Sequence, residues 1–87
     1  MGMTNRLSDT AGRIVGTKQV LKQLRMNRVK TLYLAGDVDE NVAGTLRQAM
    51  EGQELEIVTV PTMEELGRLC GIDVGAACAA LLKNDLS

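Results

Sequence analysis

Two short runs, Thr31 to Ala35 and Glu56 to Val60, are too brief for helices and nearly continuous in apolar or β-branched residues. Such runs mark strands covered on both faces. Around them apolar positions recur at helical spacing instead. Val20, Leu21 and Leu24 share the inner side of a segment from Thr17 to about Met26, with Thr17 expected as its cap. Val42, Ala43, Leu46, Ala49 and Met50 do the same in a second helix, which Asp37 and Glu40 open with capping-box spacing and Gly52 stops. Pro61 and Thr62, with Glu65 three residues after Thr62, predict a shorter helix reaching about Leu69.

The ends carry weaker patterns. Met1 to Asn5 are expected to fray, a short helix is expected from about Arg6 to Ala11, ending near Gly12, and Ile14-Val15 fits one very short strand. Gly75 to Lys83 fits two readings, because its alanines favour helix while its length and continuous apolarity suit a central strand. Strands alternating with helices imply an α/β/α sandwich. No repeat, low-complexity tract or linker divides the pattern, so one domain is expected.

Composition narrows this picture. Apolar residues make up 45% of the 87, yet Tyr33 is the only aromatic, so the core is built from Leu, Val, Ile, Ala and Met. A chain this short buries only about 60–65% of the surface it exposes when unfolded, enough for one modest core. No apolar stretch approaches the roughly 20 residues that cross a bilayer, and no charged-then-apolar leader opens the sequence. Met1-Gly2 looks like a myristoylation start, but Arg6 stands where Ser or Thr is required. A cytoplasmic protein with no membrane partner is expected. With no histidine and only Cys70 and Cys78, a four-ligand zinc site cannot form, and two small buried thiols are expected, with no metal and no cofactor.

The net charge of −1 conceals an uneven distribution. Residues 1–30 hold seven basic residues against Asp9, a net +6, while residues 31–87 carry a net −7. One pole is thus suited to phosphate. Lys18, Lys22 and Arg25 fall at i, i+4 and i+7 on the Thr17 helix and form one basic stripe. At that helix start, backbone N–H groups and the helix dipole favour an anion beside Gly16 and Lys18.

Catalysis finds no support. There is no histidine, no Gly-x-Ser-x-Gly elbow and no cysteine with a plausible base. Asp37, Asp39 and Glu40 sit where helix caps belong. Gly67, Gly71 and Gly75 recur every fourth residue but match neither a Walker A loop nor a Rossmann fingerprint. Arg68 and Asp73 interrupt any membrane dimer motif there, which leaves backbone turns at helix ends or a close helix contact as readings of the spacing. A non-enzymatic protein is expected. With Tyr33 alone, base stacking on aromatic platforms is unavailable, which leaves a helix probing a folded, distorted RNA groove.

Two segments together resemble a known family. They are Ile14-Val15-Gly16-Thr17-Lys18-Gln19-Val20-Leu21-Lys22 and Glu65-Leu66-Gly67-Arg68-Leu69-Cys70-Gly71-Ile72-Asp73-Val74-Gly75-Ala76-Ala77. They are similar to the kink-turn-binding ribosomal proteins of the L7Ae/L30e type, and most of all to small bacterial YbxF-like members, over about Arg6 to Lys83. The resemblance implies a single domain with a three-layer α/β/α sandwich and a mixed four-stranded sheet, and it places a strand at about Ala77 to Leu82. It further implies that the helix beginning at Gly16 and Thr17 enters the widened major groove of a kink-turn beside tandem sheared G·A pairs. In that reading Gly16 lets the backbone approach, Lys18 and Gln19 meet guanine edges, and Lys22 reaches guanine or phosphate; Arg25, on the same basic stripe, is a further candidate RNA contact. Lys and Gln are chemically apt for such edges. Ile72, Asp73 and Val74 correspond to an apolar loop that packs against a flipped-out base, supported by Leu69, while Leu66 belongs to the core.

Two positions depart from the family pattern. Met63-Glu64-Glu65 stands where lysine is common, and Asp73 where glutamate is frequent. Acids near a phosphate path lower affinity and flatten its salt dependence. The implied partner is a kink-turn in ribosomal RNA or in a structured regulatory RNA, in a ribonucleoprotein and with the ribosome as a further partner. A protein-interaction module like the acidic Gadd45 regulators of the same superfamily is the alternative. A third reading, a small-molecule or enzymatic α/β domain, has no nameable site residues.

Overall fold

A computed structural model describes residues 12–83. The expected frayed start and the helix at Arg6 to Ala11 lie outside the described residues. The elements run β1 (Arg13–Val15), α1 (Thr17–Arg25), β2 (Val29–Ala35), α2 (Glu40–Met50), β3 (Glu56–Val60), α3 (Met63–Leu69) and β4 (Cys78–Leu82). Four strands form one sheet in the order β1-β4-β2-β3. β4 runs antiparallel to both β1 and β2, and β2 pairs parallel with β3. β1, β2 and β3 therefore point the same way, with β4 reversed between the first two.

Alternation along the strands separates two cores. Leu32, Cys78 and Ala80 face α1 and α2, meeting Val20, Leu24 and Leu46. Tyr33, Ala35 and Ala79 point to the opposite face, where they meet Leu66 and Cys70 of the α3 segment. This is the three-layer α/β/α sandwich with a mixed sheet. The tail read two ways in the sequence is strand β4, paired on both sides, and its small side chains let helices approach both faces.

Two capping expectations need correction. Thr17 is not the cap of α1 but its first helical residue. The cap is Gly16, which offers no side-chain acceptor. Asp37 does not cap α2 either. Asp39 does, accepting from the Asn41 N–H at 2.9 Å, while Asp37 accepts from the Met63 N–H at the start of α3, also at 2.9 Å. The shorter Asp39–Asn41 spacing satisfies α2 locally and frees Asp37 to tie the β2 end to α3. The third expected cap is present, with Thr62 accepting from the Glu65 N–H at 3.1 Å. β2 starts two residues before the apolar run, at Val29, because buried Val29 is already paired to Leu82.

Cys70 and Cys78 are buried free thiols in different cores, on opposite faces of the sheet. No helix among the described residues is long and apolar enough to cross a membrane, and among them no three His, Cys, Asp or Glu side chains group to hold a metal.

Candidate nucleic-acid interface

The co-directional strands bring the starts of α1, α2 and α3 to one end of the sheet, and β4 begins at that same end. At this end α1 stands apart from the other two helices. α2 and α3 each have a side-chain cap and acidic residues in the first turn, whereas α1 has neither. Its first-turn N–H groups and positive dipole end are therefore left for an external anion.

Gly16 makes that end approachable. Its φ of 107° and ψ of 145° lie where side-chain-bearing residues rarely go, and among the described residues nothing lies within 4 Å of where a Cβ would sit. The Gly16 N–H is used, donating to the Cys78 carbonyl at 3.0 Å, and the Gly16 carbonyl accepts from Val20 at 3.0 Å. Behind it, Thr17 is half-buried, and its hydroxyl accepts a weak bond from the Cys78 thiol at 3.9 Å. Lys18, Gln19, Lys22 and Arg25 are all exposed and, with Leu21, line a shallow depression on α1. Val20 and Leu24 hold the opposite face of the helix in the core.

The second predicted segment is a loop braced from two sides. A Cβ on Gly67 would lie 2.0 Å from the Val74 carbonyl oxygen, so the helix and the loop touch backbone to backbone. Gly75 lies against Met63, and the Ala76 N–H donates to the Met63 carbonyl at 3.0 Å. Gly71, with φ 77°, turns the chain out of α3. From β1, the Arg13 guanidinium donates to the Cys70 carbonyl at the end of α3. Ile72 packs against the core, whereas Asp73 is exposed and Val74 is 69% exposed. Leu69, the last residue of α3, is partly exposed, and Leu66 is fully buried.

The loop leads directly into Cys78, whose carbonyl holds Gly16, so the C-terminal end of the second predicted segment lies beside the turn that opens α1, while Cys70 at the end of α3 meets Arg13 at the start of β1. Sequence reasoning missed Arg13 and the backbone contact of Gly67 with Val74. No local signal marks Arg13, whose partner Cys70 lies 57 residues away in sequence. Glu64 and Glu65 are exposed in the first turn of α3, and Glu64 pairs with Arg68 at 3.2 Å. Burial pushes both thiols above their ordinary pKa, opposed at Cys70 by the Arg13 charge and at Cys78 by the bond to Thr17.

Comparison with known proteins gives this geometry a context. The model of the ribosomal protein L7Ae/L30e/S12e/Gadd45 family matches residues 3–87. A protein named RNA-binding protein TTE2299, from Caldanaerobacter subterraneus subsp. tengcongensis, is 48% identical over 68 residues, covering 78% of this chain and 83% of its own. The RNA-binding protein YbxF of Geobacillus stearothermophilus is 34% identical over 74 residues, covering 84% and 90%. Among solved structures, a 15.5 kD RNA binding protein of Giardia lamblia superposes with a TM-score of 0.80 at 23% identity, covering 94% of this chain and 69% of that one, a likeness of fold. By its match along nearly the whole sequence, the chain belongs to the ribosomal protein L7Ae/L30e/S12e/Gadd45 family.

Proposed function

We propose that the protein binds a kink-turn-like folded RNA without catalysing a reaction, in the cytoplasm, as a ribosome-associated or regulatory ribonucleoprotein component. The observation that carries this reading is the uncapped, acid-free start of α1 at Gly16, open to close approach and continued by exposed Lys18, Gln19 and Lys22. An RNA backbone supplies the anion this helix end lacks, and guanine edges supply acceptors for the two lysines. The names of the relatives, RNA-binding proteins at 48% and 34% identity, support the same class of partner.

Gly16 lets the backbone approach, Lys18 and Gln19 contact guanine edges, Lys22 reaches guanine or phosphate, and Arg25 continues the basic stripe. The braced loop at Ile72, Asp73 and Val74, with Leu69 beside it, supplies an apolar surface for an unstacked base. RNA specificity is tested by comparing a kink-turn with the same RNA in which the tandem G·A pairs are replaced by Watson–Crick pairs. Binding at micromolar concentration or tighter is expected for the first and much weaker binding for the second. Equal affinity for both removes the kink-turn from the proposal.

A further inference from the structure

The two crossover helices carry matched stripes. On α1, Lys18, Lys22 and Arg25 sit at i, i+4 and i+7. On α2, Asn41, Thr45 and Gln48 have the same spacing and are also exposed. Because β1, β2 and β3 run in one direction, α1 and α2 run parallel on the same face of the sheet. Arg25, Thr45, Gln48, Ala49 and Gln53 line a depression of about 350 Å³ between them. Arg25 also lines the depression beside Lys18 and Lys22, so the two surfaces meet at its side chain.

Among the described residues, no carboxylate lines either depression. The end of the groove is fixed, since the Gln53 amide nitrogen donates to the Leu24 carbonyl at 2.7 Å and to the Ala49 carbonyl at 2.9 Å, joining the ends of both helices. Thr45 donates its hydroxyl proton to the Asn41 carbonyl at 2.8 Å and so presents only acceptor lone pairs outward. Gln48 presents both donor and acceptor.

We propose that the α1–α2 groove is a second RNA-contact site, which takes the sugar-phosphate backbone of the stem continuing away from the α1 start. The inference rests on the RNA reading given above and extends it to a surface outside that helix end. Arg25 meets a phosphate, the Gln48 amide donates to phosphate oxygen, and Thr45 accepts from a ribose 2′-hydroxyl. Lys18 to Arg25 spans about 10 Å of helix, enough to follow a backbone past a single phosphate. The contact is independent of base sequence, because phosphate and sugar groups are all it meets.

The test uses two kink-turn RNAs, one with the stem adjoining the kink cut to a minimum and one with it extended by a full helical turn. Wild type is expected to bind the long-stem RNA with a log–log salt slope steeper by about 0.9 for each added ionic contact. Gln48→Glu places a carboxylate in the groove and is expected to weaken long-stem binding several-fold while leaving short-stem affinity and the thermal midpoint unchanged. Arg25→Gln is expected to abolish the difference in slope. If both RNAs bind with equal slopes and Gln48→Glu affects neither, the second site is overturned and the α1 interface stands. If wild type binds neither RNA, the α1 interface fails and the groove proposal with it.

Discussion

The N–H of Gly16 donates to the carbonyl of Cys78 across 3.0 Å, joining the turn that opens α1 to the residue that ends the 71–77 loop. Any substitution that moves Gly16 therefore disturbs both the start of α1 and the point where the loop enters β4. Gly16→Ala has space for the methyl group but not the backbone preference, since φ is 107°. A cost of about 1–3 kcal/mol is expected. The measurement is chemical denaturation, with RNA titration alongside, and both stability and affinity are expected to fall.

Gly67→Ala acts by a different route. Its Cβ would lie 2.0 Å from the Val74 carbonyl oxygen, a backbone atom that yields only if the loop shifts. The expected loss is about 3 kcal/mol, at the upper end of ordinary overpacking. Thermal melting reads the loss, and faster amide exchange at residues 72–76 reports the displaced loop.

Glu64 and Glu65 stabilise the start of α3 and, on the RNA reading proposed above, would oppose a phosphate backbone passing beside it. Glu65→Lys leaves the Thr62 cap in place and removes a favourable dipole contact worth about 0.3–1 kcal/mol. RNA affinity is expected to rise and its salt dependence to steepen, while the thermal midpoint drops slightly. Unchanged affinity would place α3 away from the RNA.

Burial holds the Cys70 and Cys78 protons above the ordinary thiol pKa. In the unfolded chain both thiols ionise at the ordinary value, so the folded state retains protons that the unfolded state loses. The thiol contribution to stability is full below the unfolded pKa and is lost as pH rises through the folded values. Denaturation is expected to show stability declining above the ordinary thiol range in wild type, and less so in Cys70→Ser/Cys78→Ser relative to its own value at neutral pH. Aromatic disulfide reagents at neutral pH are expected to modify the native thiols far more slowly than the unfolded ones.

Much of this fold was legible because the strands are dense in apolar residues and the helices carry clean inner faces. Glu56 to Val60 is a strand with those same bounds, but it is not covered on both faces as expected: it is the edge strand, with Ile57 52% exposed and only Val60 buried, while Thr62 caps α3 as its spacing predicts. Local chemistry failed where two acceptable caps competed. Thr17 and Asp37 both have capping side chains, yet backbone geometry at Gly16 and the nearer Asp39 displaced them. The Gly75 to Lys83 stretch was undecidable from propensity, since only pairing with β1 and β2 makes it a strand. The basic stripe was visible in the spacing of Lys18, Lys22 and Arg25. The contacts that brace the loop after α3 were not, because Arg13 with Cys70 and Gly67 with Val74 arise only from tertiary approach.

Lys22 lies one helical turn beyond Lys18 on the exposed face of α1, and its loss should disturb RNA contact without disturbing the core. The most direct measurement is titration of a generic kink-turn RNA with wild type and Lys22→Ala at about 50 and about 200 mM salt. Wild type is expected to bind at micromolar concentration or tighter, more weakly at the higher salt, with Lys22→Ala costing about 1–3 kcal/mol of binding. No binding at the lower salt, or indifference to Lys22→Ala, would contradict RNA recognition by this helix.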